Sequence, residues 1–212
     1  MSSNIFNRLF LVSVVASANL LSSCANQQLL SNPTDRIEPG KDAILLMTCK
    51  ISNKVKPQCE QFLEMAIFDK TGYIAKQPGL SMANNCKEYI VSMKVPSGFK
   101  TLNSLRVGSR SSILSSAVCD IPMNVSVNVE SGHVYYLGQI EAVLRKSQEG
   151  ESRAALFPLV DAATTGFSEG TWDVTIRDSY QQDMELIKSR FPAVRGVKVD
   201  KNILPAWTRP KS

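Results

Sequence analysis

Histidine is almost absent from this chain, since His133 is the only one in 212 residues. Zinc sites and serine- or cysteine-based catalytic triads normally draw on histidine, so either would need an unusual set of side chains here. The sequence also has no C-x-x-C, H-E-x-x-H or P-loop motif and no G-x-G-x-x-G opening a helix. We therefore expect no catalytic residue, metal site or cofactor. His133 is assigned a structural role at the start of a strand, with a general base as the alternative.

Long hydrophobic runs are also missing. The longest, residues 9–21, has thirteen residues and is interrupted by Ser13, Ser17 and Asn19, whereas a spanning helix needs about 20 apolar residues. With 43% hydrophobic residues, 20% charged residues and a net charge of +5, the composition excludes a disordered chain and a polytopic membrane protein. The sequence is long enough for one compact domain with a buried core.

The N-terminal apolar run has the features of an export signal. Arg8 precedes it and small residues follow. It ends in Leu21-Ser22-Ser23-Cys24, which resembles the bacterial lipobox. This resemblance implies that residues 1–23 are a lipoprotein signal peptide, that Cys24 is acylated with palmitate among its fatty acids, and that Cys24 begins the mature protein. Ala25 in place of an aspartate implies sorting to the outer membrane. The alternatives are an ordinary secretory signal with an incidental cysteine, or a core helix.

Four further cysteines are available for pairing: Cys49, Cys59, Cys86 and Cys119. Exported proteins normally oxidise an even set of cysteines to disulfides. Because Cys49 and Cys59 flank a polar segment between two apolar runs, a bridge across the base of a hairpin is the simplest pairing, which leaves Cys86 with Cys119. A metal site or a catalytic thiol is the alternative.

Several segments show the period-two or short apolar patterns of strands. They are 43–48, 62–68, 88–95, 123–129, 133–144 and 172–176. The runs 123–129 and 133–144 are separated by Glu130-Ser131-Gly132, which predicts a hairpin. Residues 24–41 lack apolar periodicity and are interpreted as a lipidated flexible tether that holds the folded part away from the bilayer.

One helix is predicted over residues 179–192. Ser179 and Gln182 have the spacing of a capping box, apolar side chains recur at helical intervals, and Pro192 ends the pattern. The domain division is therefore a β domain over 42–178, a helix and a basic tail over 193–212. Many short strands with one late helix predict an all-β sandwich with an appended C-terminal helix.

Two short motifs lie within the β domain, Val95-Pro96-Ser97-Gly98-Phe99 and, after Gly132, the strand Val134-Tyr135-Tyr136-Leu137-Gly138. They are similar to sandwich domains of uncharacterised bacterial envelope lipoproteins. That resemblance covers residues 42–178 and implies an immunoglobulin- or transthyretin-like sandwich without a known reaction.

Two regions are candidates for binding. Tyr135 and Tyr136 point to opposite faces of a strand, so one is expected in the core and the other towards solvent or a partner, either as a stacking platform for a glycan or as a packing residue. The C-terminal tail is rich in basic residues with one acid, Asp200, and could attract anionic lipid, lipopolysaccharide phosphates or an acidic partner. The alternative is a solvated end. The candidate tail residues are Lys198, Lys201, Trp207 and Arg209.

These observations favour a non-enzymatic, membrane-anchored lipoprotein of the bacterial envelope that acts as an interaction or structural module. It is expected on the outer membrane, on the periplasmic face or at the cell surface, with an envelope protein as a partner and no nucleic acid. A small-ligand or glycan-binding lipoprotein is the alternative, and a hydrolase is third.

Overall fold

A computed structural model describes residues 26–27, 29–30, 32–69, 71–74, 80–81, 87–112, 115–155 and 160–210. The expected signal peptide, its Cys24 and the later Cys86 lie outside the described residues. The described chain forms two β-sheets packed face to face, with one helix of eleven residues against the outer face of the second sheet. The all-β sandwich with an appended helix is therefore confirmed.

The first sheet has the strand order β1-β4-β3-β7-β8. Its strands are β1 (Asn26–Gln27), β3 (Glu60–Phe68), β4 (Thr71–Ile74), β7 (Gly98–Ser112) and β8 (Ser115–Val129). The last two form a long antiparallel hairpin. Every second side chain of β8 is buried from Cys119 to Val129, while the alternate ones face solvent, as expected for a sheet with one open face.

The second sheet has the order β10-β9-β2-β6-β5. Its strands are β2 (Ala43–Asn53), β5 (Leu80–Ser81), β6 (Lys87–Val95), β9 (Val134–Lys146) and β10 (Gly170–Arg177), and a short β11 (Asp200–Lys201) also pairs with β9. The central strands β2 and β9 run parallel to each other. A six-residue helix, α1 (Val160–Thr165), precedes β10.

Neither hairpin suggested by the sequence is present. Strand β2 belongs to the second sheet and β3 to the first, and strands β8 and β9 are divided in the same way. The turns after residues 53 and 129 therefore carry the chain from one sheet to the other. Two amphipathic runs joined by a short turn can pack face to face as well as edge to edge, and alternation alone does not distinguish the two arrangements.

The predicted disulfides are also wrong for the described cysteines. Cys49, Cys59 and Cys119 are buried free thiols. Because Cys49 lies in β2 and Cys59 directly precedes β3, they belong to different sheets rather than to the base of one hairpin. The sulfur of Cys119 instead accepts a hydrogen bond from Trp172 Nε1 at 3.3 Å. Burial raises the pKa of the Cys119 thiol to about 12 and raises those of the other two, which keeps them protonated and unreactive.

A third layer covers part of the outer face of the second sheet. It contains helix α2 (Tyr180–Arg190), a 3-10 turn (Pro192–Gly196) and the segment around Leu30 and Ile37. Ser179 makes no side-chain capping bond, and the Tyr180 amide donates to Asp178 Oδ1 at 3.1 Å instead. The apolar stripe of the helix packs on Ile44, Leu46, Ile90 and Val134.

The described part of the expected tether is packed against the body. The amide of Leu29 donates to the carbonyl of Ser92 at 3.0 Å, and the amide of Leu30 donates to the Ser92 hydroxyl at 2.8 Å. Leu30 is fully buried. Leu29 and Leu30, which the sequence assigned to the tether, are thus held against the β domain. Among the described helices none is long and apolar enough to cross a membrane.

Candidate functional site

The C-terminal tail closes one open side of the sandwich. Strand β11 extends the edge of β9, and the amide of Leu204 then donates to the Leu137 carbonyl at 2.9 Å while the Leu204 side chain enters the core. Farther along, Trp207 Nε1 donates to the carbonyl of Pro122 on β8 at 2.8 Å. Arg209 reaches back to Thr171 on β10. The tail therefore joins the edge of the first sheet to the edge of the second, and we call this the tail side.

An ion-pair network fixes the end of the tail. Arg209 contacts Asp173 and lies 3.9 Å from Glu151. Arg145 donates to both oxygens of Glu151, at 2.7 and 2.6 Å, and to Asp173 at 2.6 Å. Two guanidinium groups thus share two carboxylates, an arrangement in which planar, bidentate pairs give orientation as well as attraction. The network holds Arg209 rigidly beside the ring of Trp207, 5.6 Å from its centroid.

This network predicts an acid-dependent loosening of the tail. The hydrogen bonds from Arg145 lower the pKa of the Glu151 carboxyl from 4.5 to about 2. A lowered pKa means that the pairing stabilises the fold above pH 4.5 and that this contribution is lost as the pH falls towards 2. We expect the fluorescence of Trp172 and Trp207 to change over that interval, with a smaller change in Glu151→Gln. The exposed neighbour Glu149→Gln is the control, and identical titrations of all three proteins would contradict the assignment.

A cavity of about 150 Å³ lies beneath the tail, between the two sheet edges. Its lining includes Ile121, Pro122, Arg153, Trp172, Trp207 and Arg209, together with Asp120. Both indole N–H groups are already bonded, to Cys119 and to Pro122. The tryptophans therefore offer the cavity only apolar ring surface.

The charged groups around the cavity differ in whether they already have an ion-pair partner. Asp120 is paired with Arg106 at 2.8 Å, and Arg209 is held by the network. Arg153 is exposed, and among the described residues it has no hydrogen-bond or ion-pair partner. The cavity thus combines an apolar interior with one guanidinium at its rim that is available to an outside group.

The other candidate tail residues lie apart from this cavity. Lys198 and His133 both contact Asp200, with Nζ at 2.8 Å and Nδ1 at 3.0 Å from its carboxylate oxygens. Lys201 pairs with Asp178 at 2.8 Å and lies over the ring of Tyr180. Lys201 and Arg209 therefore bind acids of the body, whereas Lys198 binds Asp200 within the tail. The sequence could not show the pairs with the body because Asp178 and Asp173 lie 23 and 36 positions away from their partners along the chain.

Tyr135 and Tyr136 are both buried, which corrects the expectation that one of them faces solvent or a partner. Tyr135 faces the core between the sheets, where its ring stacks on His133. Tyr136 points to the other face, which helix α2 covers, and it is fully buried. Neither ring is available to stack on a glycan. The sequence showed the alternation correctly but not that helix α2 covers the outer face of the second sheet at Tyr136.

Tyr136 takes part in a buried polar cluster around Asp183, which is only 2% exposed. The Asp183 carboxylate accepts hydrogen bonds from the Tyr136 hydroxyl at 2.5 Å, from the Thr48 hydroxyl at 2.5 Å and from Gln139 Nε2 at 2.9 Å. Burial, and then the bond to Asp183, raises the pKa of Tyr136, so its hydroxyl keeps the proton that it donates. The cluster fastens the first turn of helix α2 to the second sheet.

A β-bulge at Gly138 makes this cluster possible. The register of β2 against β9 shifts between Leu46, opposite Tyr136, and Thr48, opposite Gln139. The extra residue lets Tyr136 and Gln139, three positions apart, face the same side. Gly138 has φ +106, and a Cβ there would lie 3.0 Å from the carbonyl oxygen of Arg177. A glycine inside a strand pattern was the available sequence signal.

The sequence also contains one short motif of a catalytic type. Gly166-Phe167-Ser168-Glu169-Gly170 has the spacing G-x-S-x-G found around some nucleophilic serines. Here it connects helix α1 to strand β10, whereas the nucleophile turn connects a strand to a helix. Ser168 is buried, and it lies near the end of β9 opposite to His133. The single histidine is therefore separated from it by the length of that strand, and the motif does not form a triad.

No group of three or more His, Cys, Asp or Glu side chains within the described ranges could hold a metal ion. The chain matches no protein-family model, no curated protein and no solved structure.

Proposed function

We propose that this chain is a lipid-anchored lipoprotein of the bacterial envelope whose body is a non-enzymatic interaction module. The lipobox-like Leu21-Ser22-Ser23-Cys24 supports the anchor. Several acyl chains on one cysteine give durable membrane binding, because each buried methylene contributes about 0.8 kcal/mol. The site that receives the partner is the cavity on the tail side.

The observation that carries this proposal is the position of the two termini. Strand β1 pairs with β4 at one edge of the first sheet, and Leu29 bonds to β6 near the corresponding edge of the second. We call this the N-terminal side. Strands β8 and β10, at the other edges, form the tail side. The chain therefore enters the body on one side and presents the cavity on the other.

The distance from the anchor to the body is short. Cys24 precedes Asn26, the first described residue, by two positions, which limits the separation of their Cα atoms to about 7 Å. A diacylated Cys24 would hold the N-terminal side close to the lipid headgroups, and the cavity would face away from them. On this proposal only Cys24 and Ala25 would separate the lipid from the first strand, in place of the flexible tether expected over residues 24–41.

The size of the cavity favours a partner's side chain over a glycan. Binding sites for drug-sized ligands are about 300–1,000 Å³ in volume, whereas this cavity measures about 150 Å³. Protein interfaces often depend on one or two aromatic or apolar side chains seated in such small pockets.

The closer classification of the body as an immunoglobulin- or transthyretin-like sandwich is part of the proposal. The two-sheet architecture supports it. The parallel pairing of β2 with β9 is a departure from the antiparallel sheets of the immunoglobulin fold.

Metabolic labelling with radioactive palmitate in a bacterial host tests the anchor. The wild-type chain is expected to carry label and to fractionate with membranes, and Cys24→Ala is expected to lose both properties. Cys49→Ala is the matched control because Cys49 is buried in the core. Label retained by Cys24→Ala, or no label in the wild type, would overturn the proposal.

A further inference from the structure

We infer that the cavity on the tail side binds a segment of a partner protein in which an aromatic or other apolar side chain stands next to a carboxylate. The inference deepens the proposed function by stating the chemistry of the partner. It rests on the proposed function only in assigning the partner to the cell envelope, because the recognition chemistry follows from the cavity itself.

The interior of the cavity selects an apolar group. Ile121, Trp172 and Trp207 line it, and the only polar atoms of the two indoles already donate to groups of the body. A polar side chain that entered the cavity would lose its hydrogen bonds to water and would gain none from the two indole N–H groups. This desolvation costs free energy. An aromatic ring would gain both area burial and favourable ring contacts with the indoles.

The rim selects a negative charge. Arg209 cannot serve, because Asp173, Thr171 and Glu151 already surround its guanidinium. Asp120 is satisfied by two bonds from Arg106. Arg153 is left as the lining cation that has no acidic partner within the described residues, and an arginine fork matches the bidentate geometry of a carboxylate.

The geometry also favours a protein segment over a free small molecule. The cavity is too small to enclose a drug-sized ligand, and it opens on the side opposite to the N-terminal side. An occupant that fills it with one side chain would leave its remaining atoms outside, where a partner's backbone can continue over the exposed strand β8.

The chain provides its own probe for a test, because Trp172 and Trp207 are its only tryptophans and both line the cavity. The purified, detergent-solubilised protein is titrated with the acetylated, amidated peptide Gly-Phe-Asp-Gly while tryptophan fluorescence is recorded. A peptide of this size is expected to saturate the signal with a Kd on the order of 1 mM. The matched peptide Gly-Phe-Asn-Gly, which lacks only the charge, is expected to bind about tenfold more weakly.

Variants assign the charge effect to one residue. Arg153→Gln is expected to weaken binding of the aspartate peptide about tenfold and to abolish the preference between the peptides. Arg153→Lys should retain part of the preference, and Arg36→Gln, an exposed arginine that does not line the cavity, should bind as the wild type does.

Each remaining outcome contradicts the inference. Equal binding of both peptides would remove the carboxylate from the partner's chemistry, and an absence of saturable change with either would remove the site. Binding of free N-acetylphenylalanine without binding of the peptides would identify a small-molecule pocket instead. None of these results depends on acylation of Cys24, so they are separate from the outcome of palmitate labelling.

Discussion

Replacing the buried acid Asp183 by alanine is expected to destabilise the protein by about 3–5 kcal/mol. The substitution leaves the hydroxyls of Thr48 and Tyr136 and the amide of Gln139 without their common acceptor. A buried donor without a partner costs about 1–3 kcal/mol, and water cannot readily replace the carboxylate because helix α2 covers the site. Urea unfolding monitored by circular dichroism measures the effect as a lower midpoint at an unchanged slope.

Two further variants test whether the loss of stability comes from the hydrogen bonds to Asp183. Gln182→Ala, one residue earlier on the same helix, removes an exposed side chain and should change stability by less than about 0.5 kcal/mol. Tyr136→Phe removes one donor together with its hydrogen bond and should cost less than Asp183→Ala. An Asp183→Ala protein that unfolds at the wild-type midpoint would show that the cluster does not hold the helix.

Ending the chain after Val199 is expected to have a comparable or larger effect, of at least about 3 kcal/mol. The truncation removes Leu204 from the core, where loss of a leucine side chain costs about 2–5 kcal/mol. It also removes Trp207 and Arg209 from the two sheet edges that they join. Because exposed edges pair with other chains, the truncated protein should aggregate at concentrations where the wild type does not. Thermal unfolding and size-exclusion chromatography measure the two effects.

A chain ending at Pro210 is the control for this truncation. It keeps Leu204, Trp207 and Arg209 and loses only two residues, so its stability and elution should match those of the full chain. If the two truncations behaved alike, the tail would be the solvated end that the sequence left open as an alternative.

The sequence predicted those strands in which apolar and polar side chains alternate and the apolar ones are buried. The pattern of Met123, Val125, Val127 and Val129 is buried as expected, since each of these side chains faces the core. Strand β7 has no such pattern, because it lies between β3 and β8 and its burial follows their packing rather than a period of two. Local pattern carries no information about which strand becomes a neighbour.

The candidate site was only partly predictable for a related reason. Trp207 and Arg209 were identified from composition, and both belong to the cavity. Arg153 and Trp172 were missed because they lie in other segments and meet the tail only in the folded chain. The thiols illustrate the opposite error, since an even count suggested bridges, whereas burial protects Cys49, Cys59 and Cys119 without any bond between them.

The contacts of residues 200–210 with β8, β9 and β10 also determine when folding can finish. Synthesis proceeds from the N-terminus, so this segment emerges after all the strands that it covers. Until then, the outer edges of the strands later joined by Trp207 and Arg209 have no covering segment, and the nascent body is open to pairing with its neighbours. Docking of this eleven-residue strap therefore has to follow the formation of the sheets that it joins, and their edges are most open to pairing with other chains before it.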